Sequence, residues 1–270
     1  MFTRFGPTWA MPLLLMLGLS GTVAGCATAP EAASGPTSSS STTASLATPT
    51  SSAATSETVM RIAERLAWAG RAKPYSAQMD IRSLVGGRTA VVMTGRINMN
   101  LPEDAGMTGH LAVRTTTLDT GEPPIAVDEV MTDGILFVRT MKTRTAPAGR
   151  WQRVPKSVAD AGSLPDLSDY TRLLLLGGPS VVKGQEKQGG VPATRLSGRI
   201  ETEQIRTVEP NLYDRLRTAS VDGFDCDIWI DADGRTIRLE QWVLMQGRRA
   251  HNIMTLAKFR APVTVRAPVN

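Results

Sequence analysis

The feature that most constrains this fold is an alternation of apolar and polar residues that begins after Pro74 and is interrupted by tight-turn sequences. Residues 78–85 and 88–100 flank Gly86-Gly87, a pair typical of a two-residue β-hairpin turn. In the second run one face would carry Val91, Met93, Ile97 and Met99, and the other Thr94, Arg96 and Asn98. A period of two predicts an antiparallel sheet with one buried face and one solvated face.

The same pattern continues through most of the chain. Further strands are predicted at 107–118, 124–132, 135–142, 149–155, 180–187, 193–200, 224–231, 235–246 and 250–259. Hairpin turns are expected at Asp133-Gly134, Gly189-Gly190 and Asp233-Gly234. The number and short spacing of these segments indicate a meander of antiparallel strands.

Three helices are predicted among the strands. Residues 57–70 have a helical apolar period, with Ser56 as a possible cap and Gly70 as a stop. Residues 163–178 contain four consecutive leucines, 173–176, with Asp166 or Ser168 as the possible cap. Residues 209–219 place Pro210 in a first helical turn. Because leucines point to nearly every side of the second helix, we expect it to be covered on most of its surface, inside a curved sheet.

The N-terminus has the features of an export signal. A short apolar run, 13–19, follows Arg4 and is too short to span a bilayer. It ends in Val23-Ala24-Gly25-Cys26, which resembles the lipobox of bacterial lipoproteins. That resemblance implies cleavage before Cys26 and a diacylglycerol with fatty acyl chains such as palmitate on its thiol. An ordinary secretory signal with an incidental cysteine is the alternative.

The sequence divides into three parts. Residues 1–25 are predicted to be the lipoprotein signal peptide, 26–56 the lipidated cysteine and a disordered tether of Ala, Ser, Thr and Pro, and 57–270 a single domain. The tether has one charge, Glu31, and one large apolar residue, Leu46, so it cannot offset its ordering entropy by burial. We expect an exported protein held by lipid at the outer face of the cell membrane.

The modest positive charge of the chain does not indicate nucleic-acid binding. Formal net charge is +5, or +4 after loss of Arg4 with the signal. A tethered exported protein rarely meets nucleic acid, and a mildly basic surface fits one beside anionic lipid headgroups. A solvated surface without any partner fits the composition equally well.

No arrangement of residues in the sequence points to catalysis or a cofactor. His110 and His251 lack metal-site spacing, and the G-x-S-x-G acyl-transfer elbow is absent. An acidic run at Asp225, Asp227, Asp231 and Asp233 suggests calcium, but Trp229 falls where the first loop carboxylate is needed. We therefore predict no enzyme, no metal and no cofactor. Cys226 has no intrachain partner beside the lipidated Cys26, so it is expected as a buried free thiol.

The order of elements resembles the LppX/LprA/LprF/LprG family of actinobacterial lipoproteins, whose fold is similar to that of the carriers LolA and LolB. The likeness is carried by the tethered start with a helix and a Tyr75-led strand, by TDGILFVRTMKT and GRWQRVP, by GQEKQGGVPATRLSGRI and by DIWIDADGRTIRLE. It implies an α+β fold, an antiparallel β half-barrel wrapped around helices with an apolar cavity between them. Characterised members bind or move acylated lipids or glycolipids, which implies a lipid or acylated ligand here.

Nine apolar residues are predicted to line such a cavity: Val91, Met93, Ile97, Leu111, Val113, Phe137, Leu173, Leu174 and Ile228. Four adjacent leucines cannot all face one side of a helix, so at least one of 173–176 should face away from the sheet. The alternative is a non-catalytic protein-interaction or sensory lipoprotein with a packed core. The sequence leaves open the ligand, the direction of transport, glycosylation of the tether and the oligomeric state.

Overall fold

The computed structural model of the chain describes residues 52–69, 73–101, 108–116, 124–142, 146–154, 166–245 and 247–269. Its helices are α1 (Ser52–Ala69), α2 (Leu167–Leu175), α3 (Thr202–Ile205) and α4 (Pro210–Thr218), with a 3-10 turn at Pro179–Val181. Its strands are β1 (Tyr75–Val85), β2 (Arg88–Met99), β3 (Thr108–Thr115), β4 (Ile125–Thr132), β5 (Ile135–Thr140), β6 (Gln152–Val154), β7 (Val182–Gln188), β8 (Val191–Glu201), β9 (Gly223–Asp231), β10 (Thr236–Met245) and β11 (Arg248–Arg260).

All these strands form one antiparallel sheet in the order β6-β5-β4-β3-β2-β1-β11-β10-β9-β8-β7. Two meanders, β1–β6 and β7–β11, are joined where β1 pairs with β11. The β1–β2 turn requires positive φ at both central residues, which Gly86 (56°) and Gly87 (79°) supply without steric cost. The α+β class and the antiparallel meander are therefore confirmed.

The helices pack against one face of the sheet, which we call the inner face. Along the central strands the residues on this face are almost fully excluded from solvent: Met79, Ile81, Met93, Ile97, Met254 and Leu256. The register places Met79 opposite both Gly95 and Leu256, so these strands present one continuous apolar surface. This surface and the helices share the main hydrophobic core.

The leucine-rich helix α2 is positioned by its cap and packs on β8. The Oδ1 atom of Asp166 accepts a hydrogen bond from the backbone N–H of Ser168 at 2.9 Å, which identifies Asp166 rather than Ser168 as the cap. Helix α1 packs on α2 and on the 3-10 turn. It begins at Ser52, five residues before the predicted start at Glu57.

The short helix α3 was not expected from the sequence. Its N-terminus is a capping box, in which the backbone N–H of Glu201 donates to the Gln204 side chain at 2.8 Å. The chain then turns directly into α4. The described residues thus contain one short helix more than the three predicted.

The C-terminal segment, residues 261–269, crosses the opposite face, which we call the outer face. The Asn98 side chain donates to the carbonyl of Val263 at 2.7 Å and accepts from its N–H at 3.0 Å. The hydroxyl of Thr132 donates to the carbonyl of Val265 at 3.0 Å. These bonds fix the segment over β2 and β4.

Candidate ligand-binding site

The predicted cavity residues of β2 and β3 lie together on the inner face. Met93 is opposite Val113, and Leu111 is opposite Gly95. Each predicted residue on these strands is at most 7% exposed: Val91, Met93, Ile97, Leu111 and Val113. The alternation therefore identified one continuous apolar patch, and this patch is tightly packed.

Three further predicted cavity residues also face the core, but they lie near the β7–β9 end of the sheet rather than on β2 and β3. Ile228 of β9 is fully buried opposite Leu196 and Leu239. Leu174 of α2 is 1% exposed, and Leu173 packs partly buried against the same core. Strand β9 is five strand positions from β3, about 24 Å along the sheet at the usual strand spacing. These residues nevertheless belong to the same main hydrophobic core as the predicted residues on β2 and β3.

The four leucines are expected to include at least one that faces away from the sheet towards a second apolar surface or a ligand, and the structure shows one that faces solvent. Leu174 and Leu175 are buried, whereas Leu176 at the end of the helix is 72% exposed. Successive residues of a helix differ by about 100° in direction, so one of them must leave the sheet contact.

The prediction that Phe137 faces inward is wrong. The Asp133-Gly134 turn pairs Thr132 with Ile135, and Phe137 then lies opposite Val130. Val130 in turn lies opposite His110 on the outer face, so Phe137 faces outward as well. A shift of one residue exchanges the two faces of a strand, and β4 carries acidic residues on both faces, so its pattern does not fix the phase.

A half-covered region of the inner face lies at β4 and β5. The inward side chains there are neither buried nor free in solvent: Val127, Glu129, Leu136 and Val138. Val127 extends the apolar row of Met93 and Val113. Apolar side chains of the inner face are therefore only partly covered at β4 and β5, and the sequence analysis did not identify this region.

Glu129 is the charged member of this region. It lies opposite Leu111 on one side and Val138 on the other. Burial raises its pKa from 4.5 to about 7. The carboxyl group is therefore partly neutral at neutral pH. No local pattern distinguishes it from Asp128, which faces outward and accepts a hydrogen bond from Nε of Arg139 at 3.0 Å.

A second polar group lies between α2, α4 and the inner face. The Tyr170 hydroxyl donates to Oε2 of Glu209 at 2.5 Å, and Tyr170 is fully buried. Burial is the main cause that raises the pKa of Tyr170 well above its usual value, and the charge of the neighbouring Glu209 is the second cause. Burial also raises the pKa of Glu209. The hydrogen bond from Tyr170 and the charge of Arg215 act in the opposite direction and lower this pKa, but they do not cancel the effect of burial. Burial lowers the pKa of Arg215, while Glu209 raises it.

Cys226 adjoins this polar group on β9 and is a fully buried free thiol, as expected. Burial raises its pKa well above the usual range, so it is not disposed to act as a thiolate nucleophile.

Three of the four residues in the acidic run of β9 and its turn are in ion pairs: Asp227, Asp231 and Asp233. Asp227 pairs with Arg195 at 2.6 Å, and Asp231 pairs with Arg235 at 2.7 Å. Oδ1 of Asp231 also accepts backbone hydrogen bonds within its own turn. Within the described ranges, no group of three or more His, Cys, Asp or Glu side chains could hold a metal ion.

The outer face carries a cleft of about 270 Å³ beside the C-terminal segment. It is lined by Arg96, His110, Val130, Val263, Thr264, Val265 and Arg266. His110 lies 4.0 Å from Oδ1 of Asp128. This cleft is open and lies on the opposite side of the sheet from the predicted cavity.

The predicted signal peptide, Cys26 and most of the predicted tether, residues 1–51, lie outside the described residues. Among the helices that the structure describes, none has the length and hydropathy needed to cross a bilayer.

Comparison with known proteins gives both a family and a fold. The sequence profile of the LppX_LprAFG lipoprotein family matches residues 100–265, more than half of the chain. The structure is similar to that of LprF from Mycobacterium bovis, with a TM-score of 0.50 and 14% identity over 79% of this chain and 98% of that one. This likeness confirms the predicted half-barrel fold.

Two weaker likenesses accompany that match. LppX from Mycobacterium tuberculosis has a TM-score of 0.34 and 12% identity over 78% of this chain and 99% of that one. A LolA superfamily protein from Nitrosomonas europaea has a TM-score of 0.25 and 8% identity over 77% of this chain and 94% of that one. A search of curated proteins finds no match.

Proposed function

Because the chain belongs to the LppX_LprAFG lipoprotein family, we propose that it binds a lipid or another acylated apolar ligand between the inner face of its sheet and its helices. The observation that carries this proposal is the half-covered region of β4 and β5. Apolar side chains such as Leu136 and Val138 remain partly exposed there, whereas the inward residues of β2 and β3 are buried.

Burial of an acyl chain supplies the driving force. Each methylene removed from water contributes about 0.8 kcal/mol, so ten methylenes offer about 8 kcal/mol against the entropy of holding one ligand. The apolar row that runs from Met93 through Val113 to Val127 offers a continuous surface for such a chain. The other predicted cavity residues would bound the space: Val91, Ile97, Leu111, Leu173, Leu174 and Ile228.

Attachment through Cys26 would keep the binding domain at the membrane that supplies the ligand. In this proposal residues 26–51, which precede α1, act as a flexible tether that spans roughly 30 Å by random-coil scaling, so that the domain can approach the bilayer in several orientations. In this account the protein performs no chemistry on its ligand, and the membrane and the lipid are its partners.

A pair of arginine substitutions on one strand tests the proposal. Leu136→Arg places a charge on the half-covered inner face, whereas Ile135→Arg places the same charge on the outer face next to it. We expect Leu136→Arg to abolish uptake of a fluorescent fatty-acyl probe and Ile135→Arg to retain it, with both variants folded by circular dichroism. Equal uptake by the two variants would contradict binding at this face.

The tight packing of the inner face favours one other function. A non-catalytic protein-interaction or sensory lipoprotein would have a packed core in place of a ligand cavity. Seven of the nine predicted cavity residues are buried in the main core with almost no solvent exposure: Val91, Met93, Ile97, Leu111, Val113, Leu174 and Ile228. Under that function the purified protein carries no lipid, and Leu136→Arg and Ile135→Arg differ from each other only in stability.

A further inference from the structure

The cleft on the outer face has one wall that is held firmly in place, the C-terminal segment. The Asn98 side chain bonds to both backbone groups of Val263, to the carbonyl at 2.7 Å and to the N–H at 3.0 Å. The hydroxyl of Thr132 donates to the carbonyl of Val265 at 3.0 Å. These bonds fix the backbone beside Arg266, whose side chain lines the cleft. Because this wall is already ordered, little conformational entropy remains to be lost when a ligand binds.

The floor of the cleft is formed by outer-face residues of adjacent strands. His110 of β3 lies opposite Arg96 of β2 and Val130 of β4. Nη1 of Arg96 donates to the hydroxyl of Ser76 at 3.3 Å and to the carbonyl of Lys258 at 3.4 Å. These two long bonds restrain the guanidinium through one nitrogen, and its Nε and Nη2 make no hydrogen bond to any described residue. The remaining donors of Arg96 can therefore serve a ligand.

The cleft holds more positive charge than nearby carboxylates balance. Arg96 and Arg266 both line it, and within the described ranges no carboxylate oxygen lies within 4.0 Å of either guanidinium. Nε2 of His110 lies 4.0 Å from Oδ1 of Asp128, but the other oxygen of that carboxylate accepts a hydrogen bond from Arg139 at 3.0 Å. Like charges that face one cleft repel each other, and an anion placed between them removes that repulsion. The cleft is therefore suited to an anion.

We propose that this cleft binds a phosphate group. The planar guanidinium of arginine donates two parallel hydrogen bonds to a pair of phosphate oxygens. A phosphate group presents its oxygens on different sides, so it can accept from Arg96 and Arg266 at the same time. A ring N–H of His110 and the hydroxyl of Thr264, which also line the cleft, are further donors. A carboxylate has only two oxygens in one plane and would satisfy fewer of these groups.

The size and lining of the cleft limit the ligand to a phosphate whose substituent is small or points outward. The volume of about 270 Å³ lies below the roughly 300–1,000 Å³ usual for sites that enclose drug-sized ligands. The remaining lining side chains are apolar and would not recognise a large polar substituent: Val130, Val263 and Val265. Two sources present such a phosphate, a soluble phosphate monoester and the headgroup of an anionic lipid. The cleft lies on the opposite side of the sheet from the half-covered region of β4 and β5, so this site does not rest on the function proposed above.

The first arm of the test uses a soluble phosphate monoester. Isothermal titration calorimetry of the purified full-length protein in dodecyl maltoside, at constant ionic strength, measures the binding of glycerol 3-phosphate. We expect saturable binding that Arg266→Gln weakens about fivefold and Arg96→Gln about tenfold, because each variant removes charge-assisted hydrogen bonds. The smaller effect is expected at Arg266 because its side chain is exposed to solvent. Arg266→Gln should fold normally, since the bonds that hold its segment are made by the backbone of other residues.

Two further variants separate the cleft from the overall charge of the protein. Arg88→Gln, at the exposed start of β2 and outside the cleft lining, removes the same charge and should leave the affinity unchanged. Arg266→Lys keeps the charge but loses the planar pair of donors, so its affinity should lie between those of the wild type and Arg266→Gln.

The second arm uses a lipid headgroup. Dioleoylphosphatidic acid or dioleoylphosphatidylcholine is added to the same micelles, and the rise in melting temperature is compared among the wild type, Arg266→Gln and Arg88→Gln. Lipid bound at the inner face raises all three alike. A smaller rise for Arg266→Gln, with phosphatidic acid alone, would identify a lipid headgroup as the ligand. An equal rise in all three, together with binding of glycerol 3-phosphate in the first arm, would identify a soluble phosphate.

Three results would overturn the phosphate site. The first is no binding of glycerol 3-phosphate together with no response to phosphatidic acid that depends on Arg266. The second is equal weakening by Arg266→Gln and Arg88→Gln, which would show that the anion follows the net charge of the protein. The third is saturable binding that neither Arg266→Gln nor Arg96→Gln weakens, which would place the anion elsewhere. Each of these results leaves the lipid-binding function of the inner face standing.

Discussion

Glu129→Gln should change the pH dependence of stability in a defined direction. The folded protein holds the pKa of Glu129 near 7, whereas the unfolded chain has the ordinary value of 4.5. Between these pH values the folded state binds more protons than the unfolded state, so wild-type stability falls as pH rises. Below pH 4.5 the carboxyl is protonated in both states and imposes no penalty.

The size of the effect follows from the two pKa values. Each unit of difference between the folded and unfolded pKa corresponds to about 1.4 kcal/mol. Above pH 7 the charged Glu129 side chain therefore lowers the free energy of unfolding by on the order of 3 kcal/mol. Because Glu129 is only partly covered, this figure is an upper bound. Gln has the same shape and no charge, so the stability gained by Glu129→Gln should be near zero at pH 4.5 and largest at pH 8.

Urea unfolding followed by circular dichroism at pH 4.5, 6 and 8 measures this gain. Glu64→Gln, on an exposed position of α1, is the control for the change in net charge. A gain that is the same at all three pH values, or a gain that shrinks as pH rises, would refute the inward, desolvated position of Glu129.

Two further predictions concern the core and the anchor. Leu174→Ala should lower the free energy of unfolding by about 2–5 kcal/mol, measured by urea titration, because Leu174 is 1% exposed and its loss leaves a cavity. A cost below 1 kcal/mol would mean that α2 does not pack as described. Cys26→Ala should abolish incorporation of a fatty-acid analogue and release the protein or leave it as precursor. Equal labelling of wild type and Cys26→Ala would remove Cys26 as the site of lipid attachment.

The alternating pattern predicted the strands and much of the inner face because turn chemistry fixed the register. Gly86-Gly87 sets the β1–β2 pairing, and the five apolar residues on β2 and β3 then face inward as expected. Strand β4 lacks such a pattern. It has Glu129 inward and Asp128 outward, so neither the face of Phe137 nor the position of the buried acid could be deduced from local sequence.

The buried polar group could not be predicted from the sequence for a different reason. Tyr170, Glu209 and Gln241 are brought together by the packing of two helices on strands that are distant in the chain. Each of these residue types is common at exposed positions, so none is conspicuous alone. The short helix α3, in contrast, had a readable signal in the capping box of Glu201 and Gln204.

Native mass spectrometry of the wild-type protein, purified from cells in detergent and then released from the detergent, tests the central claim most directly. The account predicts a fraction of molecules that carries one additional noncovalent mass in the range of an acylated lipid, lost on collisional activation. Leu136→Arg should lack that mass and Ile135→Arg should keep it. A wild-type spectrum with the protein mass alone, after isolation under conditions that preserve noncovalent complexes, would contradict lipid binding and favour a packed core.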